Sequence, residues 1–162
     1  IVAGLIRLES PGAPIFRQLR VGRHGATFRM NKFRSMVRDA AKLGGYSTKP
    51  GDSRITRTGR FIRATSLDEL PQLFNVLIGD MSLVGPRPDV PAQEELYDPA
   101  DWQKRLSVRP GVTGLAQVTR RSNATAQERL EKDFEYIDNQ SLGLYIKVLA
   151  LTVRLVLTKL AH

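Results

Sequence analysis

Thr65-Ser66-Leu67-Asp68-Glu69-Leu70-Pro71-Gln72-Leu73-Phe74 has the form of a helix start followed by one face of that helix. Ser66 with Glu69 three positions later is a capping box, in which the Ser side chain satisfies a helical amide and the Glu reaches back to the Ser amide. Pro71 falls in the early turns, where its missing N–H costs little. Leu70, Leu73, Phe74 and Leu77 recur at helical spacing and predict a core-facing stripe, which Gly79-Asp80 ends. The unpaired amides and dipole of such a start favour negative charge, so Asp68 and Glu69 read as adjacent ionised carboxylates. A carboxylate so placed can act as a nucleophile, or share a hydrated Mg2+ with substrate phosphates. The same two residues read as simply as a helix cap, and the local pattern leaves both readings open.

Outward from this stretch, cations accumulate. Arg57, Arg60 and Arg63 precede it, and Arg87 follows on Gly85-Pro86-Arg87-Pro88. A planar fork of N–H donors suits phosphate oxygens, and the two prolines fix the backbone that carries Arg87. Arg57 and Arg60 fit a solvated basic face equally well. Lys32-Phe33-Arg34 ends a predicted hairpin, where alternation sends Lys32 and Arg34 to one face and Phe33 to the other. Interleaved basic and aromatic residues of this kind can bind a nucleotide or nucleic acid.

The remaining pattern is that of an α+β, helix-rich small domain rather than a doubly wound sheet. Ile15–Val21 and Thr27–Phe33, separated by Gly22-Arg23-His24-Gly25-Ala26, predict a β-hairpin. Helices are expected at Met36–Leu43, Pro91–Leu96, Pro99–Leu106, Thr125–Asn139 and Leu142–Leu160, with a loop over Gly44–Ser53. Ile1–Leu8 reads as the last turns of an apolar helix, stopped by Ser10-Pro11-Gly12-Ala13-Pro14. On the helix over Leu142–Leu160, Lys147, Arg154 and Thr158 fall within about 40° of one another at ~100° per residue, and apolar residues cover most of the rest. Such a helix can pack in a core or lie in a membrane interface, and periodicity admits both.

Composition narrows the chemistry. There is no Cys, and the two His, His24 and His162, are far apart, so thiolate and His-based metal sites are excluded and any metal takes oxygen ligands. The net charge of +9 is concentrated: residues 1–63 carry 14 Lys/Arg against 3 Asp/Glu, and residues 64–162 carry 11 against 13. The basic part is suited to an anionic partner, whether nucleic acid, a phosphorylated small molecule or acidic headgroups. No uncharged run reaches the roughly 18 residues of a membrane-spanning helix.

Taken in order, Ser10-Pro11-Gly12-Ala13-Pro14-Ile15-Phe16-Arg17-Gln18, Lys32-Phe33-Arg34-Ser35-Met36, Thr65 to Leu73, Gly79 to Pro88 and Arg109-Pro110-Gly111-Val112-Thr113-Gly114-Leu115-Ala116-Gln117-Val118 resemble the bacterial sugar transferase family. These are the monotopic phosphoglycosyl transferases that begin surface polysaccharide and glycoconjugate assembly. The resemblance covers nearly the whole chain as one catalytic domain, 1–162, with 1–9 the remnant of a re-entrant membrane helix and 142–160 an amphipathic helix. It implies a Mg2+-dependent transfer of sugar-1-phosphate from a UDP-sugar to a polyprenol phosphate such as undecaprenyl phosphate, with UMP released. By position, Asp68 would be the nucleophile and Mg2+ ligand, Glu69 its acid/base or positioning partner, and Arg63, Arg87 and Lys32 contacts to substrate phosphates. The implied location is the cytoplasmic face of a bacterial inner membrane, with the membrane surface as a partner, no nucleic acid, and room for a homodimer. The rival class is a basic binding module without activity.

Overall fold

The computed structural model describes residues 1–43, 51–119 and 125–160. The fold is α+β and helix-rich, with a two-stranded hairpin, β1 (Ile15–Val21) and β2 (Thr27–Phe33), at the bounds the sequence predicts. The chain forms two compact units, and both hairpin strands contribute to each: Ile1–Arg17 with Asn31–Pro71, and Gln18–Met30 with Gln72–His162.

The first unit contains α1 (Val2–Glu9), α2 (Ala40–Leu43) and α3 (Arg57–Ala64). Helix α1 packs on α3, and Ile6 and Ile62 are buried. The start of α3 is closed by two residues. Thr56 Oγ1 accepts from the Gly59 N–H at 2.9 Å, and the Glu9 carboxylate accepts from the Arg57 and Thr58 N–H groups at 2.6 and 2.8 Å. Hydrogen bonds from Thr58, aided by the Arg57 amide, hold the Glu9 carboxyl below its usual range. The helix expected over Met36–Leu43 is confined to Ala40–Leu43. Met36 bridges Ile55, Val37 N–H donates to the Arg54 carbonyl at 2.9 Å, and Asp39 takes φ 59°, so the segment before Ala40 is committed to extended pairing and a turn. Residues 44–50 of the predicted loop lie outside the described residues.

The second unit contains α4 (Gln72–Leu77), β3 (Ser82–Val84), a 3₁₀ turn over Pro91–Leu96, α5 (Pro99–Arg105), β4 (Gly111–Thr113), α6 (Leu115–Thr119), α7 (Ala126–Asp138) and α8 (Leu142–Leu160). Strands β3 and β4 pair in parallel, Ser82 with Gly111 and Val84 with Thr113. The backbones approach so closely that a Cβ on Gly111 would stand 2.1 Å from the Gly85 nitrogen. Val84, Leu115, Tyr136 and Val148 form one core cluster, Val21, Trp102 and Leu106 a second, and Phe28, Met30 and Met81 a third. A capping box does occur in this unit, at Thr125 and Glu128, with both reciprocal bonds made, at 2.9 and 3.2 Å.

Helix α4 does not have the buried face its sequence predicts. Gln72 and Asn75 are buried, whereas Leu73, Phe74, Leu77 and Ile78 are exposed, Leu77 at 83%. The polar side turns inward because Asn75 finds partners there: its Nδ2 donates to the Arg29 carbonyl at 2.9 Å and to the Asp80 carboxylate at 3.1 Å. Helix α8 divides into three sectors. Leu144, Tyr145, Val148 and Leu149 pack on the first core cluster, and Thr152 Oγ1 meets Thr113 Oγ1 at 2.8 Å. Leu142, Ile146, Val153 and Leu157 are exposed along one stripe, within about 60° at ~100° per residue. Lys147, Arg154 and Thr158, also exposed, lie between the two.

Candidate active site

Gly59 sets the first unit's contribution. A Cβ there would fall 1.9 Å from the Ser35 carbonyl oxygen, so only glycine lets α3 press against the Ser35 backbone, two residues past the end of β2. One helical turn later, the half-buried Arg63 donates through Nε to Ser35 Oγ at 2.8 Å. Arg63 is thereby oriented by a hydroxyl that sequence reasoning did not single out. Gly59→Ala is expected to cost about 1–3 kcal/mol through this overlap, read as a lower urea midpoint at unchanged m-value. Nearby, Asp52 is ionised well down the pH scale, its carboxyl lowered to about 2, chiefly by hydrogen bonds from the Arg54 side chain, with Arg63 adding a small favourable charge.

After α3 the chain does not start a long helix at Ser66, and the predicted capping box is absent. Ser66 takes φ 57°, the left-handed region, and makes no side-chain cap hydrogen bond. A single 3₁₀ turn, Leu67–Glu69, follows, and α4 begins only at Gln72. The reason is local. Ser66 donates its N–H to the Arg63 carbonyl at 3.2 Å, completing the exit from α3, and the tight reversal needs a positive φ that a helical N-cap does not have. This reversal buries Asp68, 9% exposed, and turns Glu69 towards β2. There Lys32 Nζ meets Glu69 Oε1 at 3.0 Å. Lys32 and Glu69, 37 positions apart, are thus brought together, and the contact replaces the cap as the fixed partner of Glu69.

In the second unit, Arg87 is exposed between the buried prolines Pro86 and Pro88. Every carbonyl from Pro86 to Asp89 is held by a donor. Gly111 N–H bonds Pro86 at 2.9 Å, Arg105 Nη2 bonds Arg87 at 3.0 Å, Arg20 Nη1 bonds Pro88 at 2.8 Å, and Val21 N–H bonds Asp89 at 2.9 Å. Arg20 and Arg105 carry no local sequence signal for this role, because their partners are 68 and 18 positions away. The same unit has an open cleft of about 480 Å³ with Arg23, Arg109, Ser82, Tyr136 and Tyr145 in its lining, beside Met81 and Leu83. Its guanidinium groups and phenols suit an anionic ligand with a ring.

Among the described residues, no three His, Cys, Asp or Glu side chains cluster as a self-sufficient metal cage. Mg2+ does not require one: it keeps waters and takes substrate phosphate oxygens alongside one or two carboxylates. Asp68, with Glu69 beside it, supplies that donor chemistry.

Residues 1–159 match the family model described as bacterial sugar transferase. The chain is 45% identical over 164 residues to UDP-N-acetylgalactosamine-undecaprenyl-phosphate N-acetylgalactosaminephosphotransferase of Aeromonas hydrophila, covering 96% of this chain and 38% of that protein. It is 43% identical over 165 residues to UDP-glucose:undecaprenyl-phosphate glucose-1-phosphate transferase of Caulobacter vibrioides, covering 98% and 62%. It is 44% identical over 153 residues to the uncharacterized sugar transferase EpsL of Bacillus subtilis, covering 94% and 74%. The chain therefore spans less than two thirds of the length of the first and second of these relatives. With a single family model matched from the first residue to 159 and identities above two fifths along almost all of the chain, it belongs to the bacterial sugar transferase family.

Proposed function

We propose that the protein transfers a sugar-1-phosphate from a UDP-sugar to a polyprenol phosphate such as undecaprenyl phosphate, through a covalent intermediate on Asp68. The observation that carries this reading is the buried Asp68 carboxylate, held on a one-turn 3₁₀ segment beside the Lys32–Glu69 ion pair. The names of the Aeromonas and Caulobacter relatives support the donor and acceptor classes.

In the first step an Asp68 oxygen attacks the sugar-bearing phosphorus of the UDP-sugar. The bond from that phosphorus to the bridging oxygen breaks, and UMP leaves with the electron pair. In the second step the polyprenol phosphate oxygen attacks the same phosphorus, the bond to Asp68 breaks, and the carboxylate is regenerated. One pyrophosphate linkage replaces another, so the exchange is near balance and the residues need only lower the barrier. Glu69, oriented by Lys32, is the acid/base or positioning partner. Arg63 and Arg87 supply forked donors to phosphate oxygens. Lys32 has three N–H donors, so pairing with Glu69 leaves capacity for a phosphate. The cofactor we assign is Mg2+, held by Asp68 together with substrate phosphate oxygens, which when bound would neutralise phosphoryl charge.

The acceptor is a lipid, and the exposed apolar rows of α4 and α8 support a membrane-surface location, on the cytoplasmic side where nucleotide sugars are available. Among the described residues no helix is long and apolar enough to cross a membrane. The three-sector α8, with basic residues beside its exposed apolar stripe, has the make-up of a helix lying in the interface. The test is incubation with a panel of UDP-sugars and Mg2+, without acceptor, followed by intact-protein mass spectrometry. The expected result is a mass gain of one sugar-phosphate on the protein, traced after digestion to the peptide containing Asp68, with an equivalent of UMP released. Absence of UMP release from every donor, even with polyprenol phosphate added, would overturn the reading.

A further inference from the structure

Arg105 on α5 is 7% exposed and uses its whole fork inside the second unit. Its Nε and Nη2 donate to Asp133 Oδ2 on α7 at 3.1 and 2.9 Å. Its Nη1 donates to the Asp89 carboxylate and to Tyr97 Oη, the latter at 3.1 Å, and the Arg105 Cζ lies 5.0 Å from the Tyr97 ring centre. Tyr97 Oη in turn donates to Asp89 Oδ2 at 2.9 Å. The remaining Nη2 bond goes to the carbonyl of Arg87 itself, at 3.0 Å.

This is an elaborate use of a buried cation. A buried ion pair contributes little net stability compared with apolar packing of the same volume, so stability alone is a weak reason for three charges here. The geometry suggests another. Two prolines remove backbone N–H groups from the Arg87 turn, so the turn cannot be fixed by its own ladder and must be held by its carbonyls. Arg105 holds the middle one, and Asp89 and Asp133 fix Arg105 from both sides. Arg20 holds the next carbonyl and is itself braced by Gln18 Oε1 at 2.6 Å. Arg105 thus meets the backbone of Arg87 itself, the one residue in the turn whose side chain is exposed, and Arg20 meets that of its neighbour Pro88.

We infer that Arg105, braced by Asp89 and Asp133, is a positioning residue that aims Arg87 at the substrate phosphates. This rests on the transferase reading above. Lysine at position 105 keeps the charge but has no planar fork, so it cannot bridge Asp89, Asp133 and the Arg87 carbonyl together.

The experiment is a double-mutant cycle with Arg105→Lys and Arg87→Ala, made in the full-length protein in nanodiscs. UMP release and hydrogen exchange over 85–90 are both measured. Arg105→Lys is expected to lower kcat/KM about 10- to 100-fold in the otherwise natural chain, and less than about 2-fold when residue 87 is already Ala. Exchange over 85–90 is expected to quicken while unfolding stays cooperative. Losses that add in the double variant, or unchanged exchange over 85–90, would overturn the inference. Should the natural protein release no UMP from any donor, the transferase reading falls, and the positioning role is then decided by the exchange data alone. If Arg105→Lys does not fold, Arg20→Lys, which loosens the Pro88 carbonyl from the other side, is put through the same cycle with the same expected and overturning outcomes.

Discussion

Asp68→Asn will abolish the covalent sugar-phosphate adduct and lower UMP release by at least about 10³-fold, because the amide has no anionic oxygen to attack phosphorus. The substitution is nearly isosteric, which matters at a position only 9% exposed: the 3₁₀ turn and the Lys32–Glu69 contact beside it should persist. An unchanged melting temperature would therefore separate lost chemistry from lost fold. Glu69→Gln should behave differently. It weakens the pairing with Lys32 and, on the proposed mechanism, removes the acid/base partner, but leaves the Asp68 carboxylate, so a smaller loss of about 10²-fold is expected with the adduct still detectable. An undiminished adduct in Asp68→Asn would eliminate Asp68 as the nucleophile.

The contrast between Asp68 and Glu69 also shows what was legible from the chain alone. Short-range signals transferred well: the hairpin strands and the extent of α8 stand where alternation and helical periodicity put them, since both patterns reflect contacts within the element. The Ser66–Glu69 segment misled because a capping box and a 3₁₀ reversal share the same residues. Ser66 is drawn into the exit from α3, and Glu69 meets Lys32, far away in sequence. The α4 face is the reverse of what its spacing predicts for a related reason. Hydrophobic spacing identifies an apolar side but not what it faces, and Asn75 could turn inward because Arg29 and Asp80 accept its hydrogen bonds. Gly59, Ser35 and Arg105 left no mark on local patterning, since a close approach or a carbonyl clamp becomes visible only when the partner is known. Arg87 stands out as a candidate in the chain alone because its frame of prolines is contiguous.

Arg105→Met should be the most destabilising of these substitutions, by about 3–5 kcal/mol at pH 8, because it leaves the buried Asp133 and half-buried Asp89 carboxylates without their cation. The deficit should also depend on pH with a definite sign. In the natural chain burial raises the Asp133 carboxyl to about 6, with Arg105 opposing that rise by its charge and hydrogen bonds. Without Arg105 the opposition is gone and the value climbs further. The folded state then binds the Asp133 proton more tightly than the unfolded state, whose carboxyl titrates near ~4. Stability contributed by that proton is fully present below the unfolded value and is lost as pH rises through the folded one. Because the folded value is higher in the variant, acidification from pH 8 to pH 5 should narrow the gap between the two proteins. Glu9 and Asp52, whose carboxyls are lowered on folding, keep their contribution throughout this window and lose it only below the unfolded value of ~4, so they do not affect the difference. Urea denaturation of both proteins at a series of pH values measures the gap directly. A gap that stays constant or widens on acidification would mean that Arg105 does not neutralise Asp133, and that the buried carboxylate is stabilised by other groups.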